Sequence, residues 1–176
     1  RRIIAYNDGL SFFGRREQWD KEQQLDSDTN YSDPMFRCYP EGVPRIGPPH
    51  KIVQTTNEVI FLYAGRDHDS RIIPIDGRGH DPDAFPGFYG DAVGRWEGDT
   101  LVVDSNYFNG RNWFDRAGNH HSEQLTLTER LTLQTPNVIQ YEVTIEDPAV
   151  FTRPWTISMP LYRRMEPNAQ LFDYRC

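Results

Sequence analysis

Over residues 121–133 the chain alternates between two kinds of side chain. The odd positions are His121, Glu123, Leu125, Leu127, Glu129, Leu131 and Leu133, and the even ones are Ser122, Gln124, Thr126, Thr128, Arg130 and Thr132. A period of two marks a half-buried strand whose odd positions face inward. After Thr135-Pro136-Asn137 the alternation returns, with Ile139, Tyr141, Val143, Ile145 and Asp147 on one face and Gln140, Glu142, Thr144 and Glu146 on the other. Trp155, Ile157, Met159 and Leu161 continue it, and residues 171–176 read as a short closing strand.

The upstream pattern is shorter but of the same kind. Residues 52–55 and 59–63 flank Thr56-Asn57-Glu58 as a hairpin, and residues 71–76 form a third strand. At the centre of the chain, residues 90–105 predict two strands turning at Glu97-Gly98-Asp99-Thr100, where glycine supplies the positive backbone angle a tight turn needs. Two glycine-rich loops bearing aromatic residues, 76–90 and 107–120, lie on either side of this hairpin and can close one mouth. Some nine strands joined by short turns predict a mainly β domain, an antiparallel meander closed into a barrel.

This domain spans residues 32–176, and residues 1–31 precede it as an arm. The arm is charged and rich in glutamine, with one short helix expected over 17–25. Tyr6, Phe12, Phe13 and Trp19 argue that it packs on the body or on a partner. Between arm and body, five prolines in residues 32–49 forbid both helix and interior strand, so this part is an extended lead-in.

Charge narrows the range of partners. With 26 acidic against 19 basic residues the chain carries a net charge of −7, which disfavours a nucleic-acid partner. No apolar run is long enough to cross a bilayer. All but Lys21 and Lys51 of the basic residues are arginine, whose planar fork suits lasting pairs with carboxylates. The chain has two cysteines, Cys38 and Cys176. A bridge between them would tie the lead-in to the last strand and place the protein in an oxidising compartment, periplasmic or extracellular; two separate buried thiols are the alternative.

The inward alternation puts Glu129 among leucines, and a buried carboxylate needs a partner. An arginine across the barrel, Arg95 or Arg163, is the structural answer; an acid or base with a pKa raised by desolvation is the catalytic one. His121 and Glu123 share the same face, and His80 sits in Asp76-Gly-Arg-Gly-His, where glycines let Asp76, Arg78 and His80 converge. His80, His121, Glu123 and Glu129 are therefore the catalytic candidates. Asp76, Arg78, Arg95, Trp96, Trp113 and Tyr141 are the candidates for substrate contact. No motif demands a cofactor; a divalent metal on His80, His121 and Glu123 is an alternative use of that cluster, although the spacing matches no zinc pattern. There is no Gly-x-Ser-x-Gly elbow and no phosphate loop, which argues against acyl-enzyme chemistry and nucleotide binding.

Several stretches taken together resemble a family of secreted bacterial proteins of uncharacterised activity. They are Cys38-Tyr-Pro-Glu-Gly-Val-Pro-Arg45, Asp76-Gly-Arg-Gly-His80, Val93-Gly-Arg-Trp-Glu-Gly-Asp-Thr-Leu-Val-Val-Asp104, His121-Ser-Glu123, Glu129-Arg130, Asp147-Pro148 and Pro154-Trp155. The resemblance covers roughly residues 32–176 and implies export, but no activity. Relatives tend to have His-Pro after the Asp-Gly-Arg motif, where this chain has His80-Asp81. The Gly94-Arg-Trp96 triplet is also similar to the lipocalin Gly-x-Trp signature, which makes the expected barrel calycin/lipocalin-like by analogy.

Three functions are consistent with these readings. The first is an exported enzyme doing acid/base chemistry, as a lyase, isomerase or hydrolase, on a small organic or sugar-like substrate in its lumen. Glu129 or His121 would be the base, and Arg78 or Arg95 would hold an anionic group. The second is a barrel that binds a small molecule without catalysis. The third is an interaction subunit, in which the arm docks on a partner protein or on a second copy of the chain.

Overall fold

The computed structural model describes residues 33–64, 69–116 and 118–169. Within them the chain forms eight strands in two antiparallel meanders. The first sheet has the order β1 (Lys51–Gln54), β2 (Glu58–Leu62), β3 (Ser70–Pro74). The second has the order β4 (Asp91–Glu97), β5 (Thr100–Asn106), β6 (Thr126–Thr135), β7 (Val138–Glu146), β8 (Trp155–Tyr162). The expected closed barrel is corrected to this pair of sheets: among the described residues no ladder joins β3 to β4. The reason lies in the loop between them, whose glycines and prolines carry the chain from one sheet to the other without strand pairing. The expected ninth strand at 171–176 and the arm with its helix lie outside the described residues.

Register explains why the larger sheet has one apolar face. Gly94, Val103, Glu129, Val143 and Ile157 stand directly opposite one another, strand to strand, and so share a face. The rows beside them are Trp96, Leu101, Leu131, Tyr141, Met159 and Ala92, Ser105, Leu127, Ile145, Trp155. The opposite face carries Arg95, Val102, Arg130, Glu142 and Ser158 in one row. There Arg95 Nε donates to Glu97 at 3.0 Å and Arg130 Nη2 to the same carboxylate at 2.9 Å, while Arg95 also bonds Asp104. Val102 sits between the two arginines in register and is fully buried.

The smaller sheet covers part of the inner face. Val59, Phe61 and Ile73 pack with Leu101, Val103 and Leu131 into one cluster between the sheets. Close approach is permitted at Gly94, where a Cβ atom would lie 2.8 Å from Ile73 Cγ2 and 3.0 Å from Ile75 Cγ2. The rest of the inner face is covered by loops: Val43, Phe108, Val150 and Phe151 pack on Leu125, Leu127, Val143 and Ile145. The turn of the central hairpin falls where expected, and of its Gly-Asp pair only Gly98 takes a positive φ, of 59°.

The lead-in is held by a buried ion pair. Asp33 accepts from Arg45 Nη1 at 3.0 Å and Nη2 at 2.5 Å, and from the Met35 amide at 3.0 Å. Arg45 Nη1 also reaches the carbonyls of Trp113 and Asp115, so lead-in and second aromatic loop are fastened together. Burial alone would raise the Asp33 pKa, but the Arg45 and Met35 donors outweigh it and hold the carboxyl below its usual range. The two aromatic loops join each other as well: Gly87 N–H donates to the Tyr107 carbonyl at 2.9 Å and Asn109 N–H to that of Gly87 at 3.0 Å.

Candidate functional site

Where the smaller sheet ends, the inner face of β6, β7 and β8 is left open as a pocket of about 290 Å³. This is the small end of the range for ligand pockets, about 300–1,000 Å³. Alternation along the strands supplies its floor: Glu129 and Leu131 from β6, Tyr141 from β7, and Trp155, Ile157, Met159 and Leu161 from β8. Phe61 and Tyr63 enter from the smaller sheet, and Phe114 and Phe151 from the loops. Pro44, Pro48 and Pro49 of the lead-in form one lip; Asp115 and Asn119 form another, bonded to each other through Asn119 Nδ2 at 2.6 Å. Phe114, Phe151 and Trp155 pack edge-on or stacked, with ring centroids 5.5 to 6.1 Å apart, so the wall is a connected aromatic surface.

One polar network lies at the base. Arg71 of the β3 strand donates to Glu129 through Nη1 at 3.1 Å and Nη2 at 2.5 Å, and Nη2 also reaches Ser105 Oγ at 3.3 Å. Tyr141 donates its hydroxyl to Glu129 Oε1 at 2.9 Å. Tyr63 also favours the charged form of Arg71. Desolvation opposes the charge of Arg71, yet the carboxylate of Glu129 outweighs it and holds the guanidinium protonated. Burial and the same carboxylate raise the Tyr141 pKa well above its usual value, and burial raises that of Tyr63, so both phenols stay protonated.

The partner of Glu129 is therefore Arg71. Arg95, expected as a partner, lies on the opposite face with Glu97 and Asp104, and Arg163, the other candidate, follows β8 at an exposed position. Sequence carried one sign of Arg71: residues 71, 73 and 75 alternate as Arg, Ile, Ile, the pattern that singled out Glu129. Of the other substrate-contact candidates, Tyr141 lines the pocket and Trp96, Trp113, Asp76, Arg78 and Arg95 do not. Trp96 shares the inner face but is 46% exposed near the hairpin end. Trp113 pairs with His120 in an isolated bridge. Asp76 and Arg78 form an exposed pair, in which the Arg78 guanidinium lowers the Asp76 pKa to about 2.

The histidines lie apart from the pocket floor. His121 is buried behind its wall, with the Phe114 ring 5.2 Å and the Phe108 ring 5.8 Å away. Its Nε2 faces Asn112 Oδ1 at 2.8 Å and its Nδ1 the Ser122 carbonyl at 3.0 Å. Asn112 Nδ2 donates to the Glu41 carbonyl at 2.7 Å, which fixes the amide so that its oxygen points at the ring. Burial pushes the His121 pKa below its usual value. His80 is elsewhere, with Nδ1 2.7 Å from Asp91 Oδ2, an oxygen that also accepts from the Asp81 amide. Glu123 is exposed. The expected convergence of His80, His121 and Glu123 is thus not what the fold builds, and among the described residues no group of three histidine, cysteine or acidic side chains is placed to hold a metal.

Asp147, the residue after β7, is structural in its bonding. It accepts from the Ser122 amide at 2.6 Å, the Ser122 hydroxyl at 2.8 Å and the Ala149 amide at 3.1 Å, capping the turn into β8. Comparison with protein-family models, with curated proteins and with solved structures gave no match.

Proposed function

We propose that the protein is a small-molecule-binding module, with the pocket between β6–β8 and the aromatic loops as its ligand site. The observation that carries this reading is the state of Glu129. Its carboxylate is held by both Nη atoms of Arg71 and by Tyr141, so it offers the pocket a fixed polar anchor; as a general base it would have to give up a buried ion pair. The lining around it is aromatic and aliphatic, as ligand sites with a few placed polar groups are. Export to the periplasm or exterior, with Cys38 bridged to Cys176, belongs to the same proposal, resting on the family resemblance and on the cysteine count.

The test is uptake of the hydrophobic dye N-phenyl-1-naphthylamine by the full chain. Saturable, one-to-one enhancement of dye fluorescence is expected, and Ile157→Trp, which fills the floor, should abolish it while circular dichroism stays that of the native protein. Dye uptake that does not saturate, or that a folded Ile157→Trp chain retains, refutes the proposal.

A second reading, acid/base catalysis, is favoured by one observation. The Asp91 carboxylate fixes the His80 ring through Nδ1, the arrangement that orients a general base, and it does so away from the pocket. Turnover of any substrate that is lost in His80→Ala and kept in Ile157→Trp would establish that reading.

A further inference from the structure

We propose that the ligand is a neutral, flat ring compound whose polar end is a hydroxyl group. This rests on the pocket being a ligand site and adds the chemistry that the site selects.

Arg45 at the lip of the pocket is already held by Asp33 through both Nη atoms, so the charge selected at the base depends on which member of the buried pair faces the ligand. Glu129 lines the pocket and Arg71 does not, and both Nη atoms of Arg71 are engaged by Glu129 and Ser105. An anionic ligand would meet the carboxylate first and find nothing there to offset its own desolvation. A cation gains little, because Glu129 is already neutralised by the guanidinium behind it, while the cation's own desolvation is uncompensated.

Hydrogen bonding then selects the polar group. A carboxylate has about four lone-pair positions, and Arg71 Nη1, Arg71 Nη2 and Tyr141 fill three. The position left belongs to Oε2. Tyr63 also lines the pocket, and its phenol, kept protonated by burial, has an O–H to donate to a ligand. The base of the pocket therefore offers one acceptor, Glu129 Oε2, and one donor, the Tyr63 hydroxyl. A hydroxyl can donate to the first and accept from the second, whereas a carboxylate or an ether serves only as acceptor. The walls of Phe114, Phe151 and Trp155 fit a flat ring above it.

Competition against N-phenyl-1-naphthylamine bound to the full chain at neutral pH tests this, with naphthalene, 2-naphthol and 2-naphthoate as competitors. We expect 2-naphthol to displace the dye about tenfold more tightly than either of the others. In Tyr63→Phe the advantage of 2-naphthol over naphthalene should narrow several-fold. Equal or tighter binding of 2-naphthoate, or parity between naphthol and naphthalene in the wild-type chain, overturns the inference and leaves the pocket as a ligand site of other selectivity. Absence of dye uptake overturns both.

Discussion

Arg71 and Glu129, 58 residues apart in the chain, meet between the two sheets with Nη2 2.5 Å from Oε2 and side chains only 2% and 3% exposed. Neither charge has water to return to if its partner is removed. Glu129→Leu should therefore destabilise the protein by about 3–5 kcal/mol, because it leaves a guanidinium buried and unpaired. Replacing both, as Arg71→Met with Glu129→Leu, should cost much less than the sum of the two single changes. Urea denaturation of the four proteins measures the coupling; additive costs would show that the pair is not a unit.

His121 should make stability depend on pH. Its neutral ring carries one N–H and faces two acceptors, Asn112 Oδ1 and the Ser122 carbonyl, with Phe108 and Phe114 against it and His120 and Asp147 as the charged or titratable groups nearby. Burial lowers its folded pKa below the model-peptide value of 6.5, although the Ser122 carbonyl and Asp147 work the other way. The unfolded chain then binds the proton more readily than the folded one. Stability from this group is present above pH 6.5 and falls as the pH drops below it toward the folded pKa. Unfolding free energies of wild type and His121→Phe between pH 7.5 and 5 should diverge in slope below about pH 6.5. Parallel slopes would show that His121 does not titrate differently on folding.

The two sheets approach each other closely at Gly94, and Gly94→Ala should push them apart. The added methyl meets Ile73 and Ile75, both branched side chains packed between the sheets, at 2.8 and 3.0 Å. A loss of about 1–3 kcal/mol is expected, as for overpacked cores. Combining it with Ile73→Val, which does not remove Cγ2, should recover little. An unchanged denaturation midpoint in Gly94→Ala would mean that the two sheets pack less tightly than described.

The His80–Asp91 pair and the pocket should be separable. Because His80 is not among the pocket residues, His80→Ala should leave dye affinity within about twofold of wild type, since surface changes away from special contacts have small effects. A larger loss, measured by the same fluorescence titration, would tie the first loop to the ligand site.

Much of this fold was legible in the alternation. Leu125 just before β6, positions 127, 129 and 131 of β6 and positions 141, 143 and 145 of β7 face the core as expected, whereas Leu133 near the end of β6 is exposed; the central hairpin turns at Gly98. Closure was not legible, because alternation says which side of a strand faces in and nothing about which strands pair. The switch of sheet between β3 and β4 depends on the path of a loop. Glu123 shows the same limit: it continues the odd-numbered series but lies before the strand, which begins at Thr126, and it is exposed, whereas His121 is buried as expected. Glu129 could be singled out from sequence because it interrupts a leucine face. Arg71 carried the same sign on a much shorter strand. The aromatic wall of Phe114, Phe151 and Trp155 joins a loop, a turn and an edge strand, a convergence only the tertiary structure provides.

The most direct test of the ligand site is a titration of the ¹⁵N-labelled full chain with 2-naphthol, followed at the tryptophan indole N–H resonances. Trp155 forms part of the pocket floor, while Trp96 and Trp113 lie outside the pocket. The account predicts a saturable shift of the Trp155 indole with those of Trp96 and Trp113 unmoved, and loss of that shift in Ile157→Trp. A saturable shift at Trp96 or Trp113 with Trp155 unchanged would contradict it.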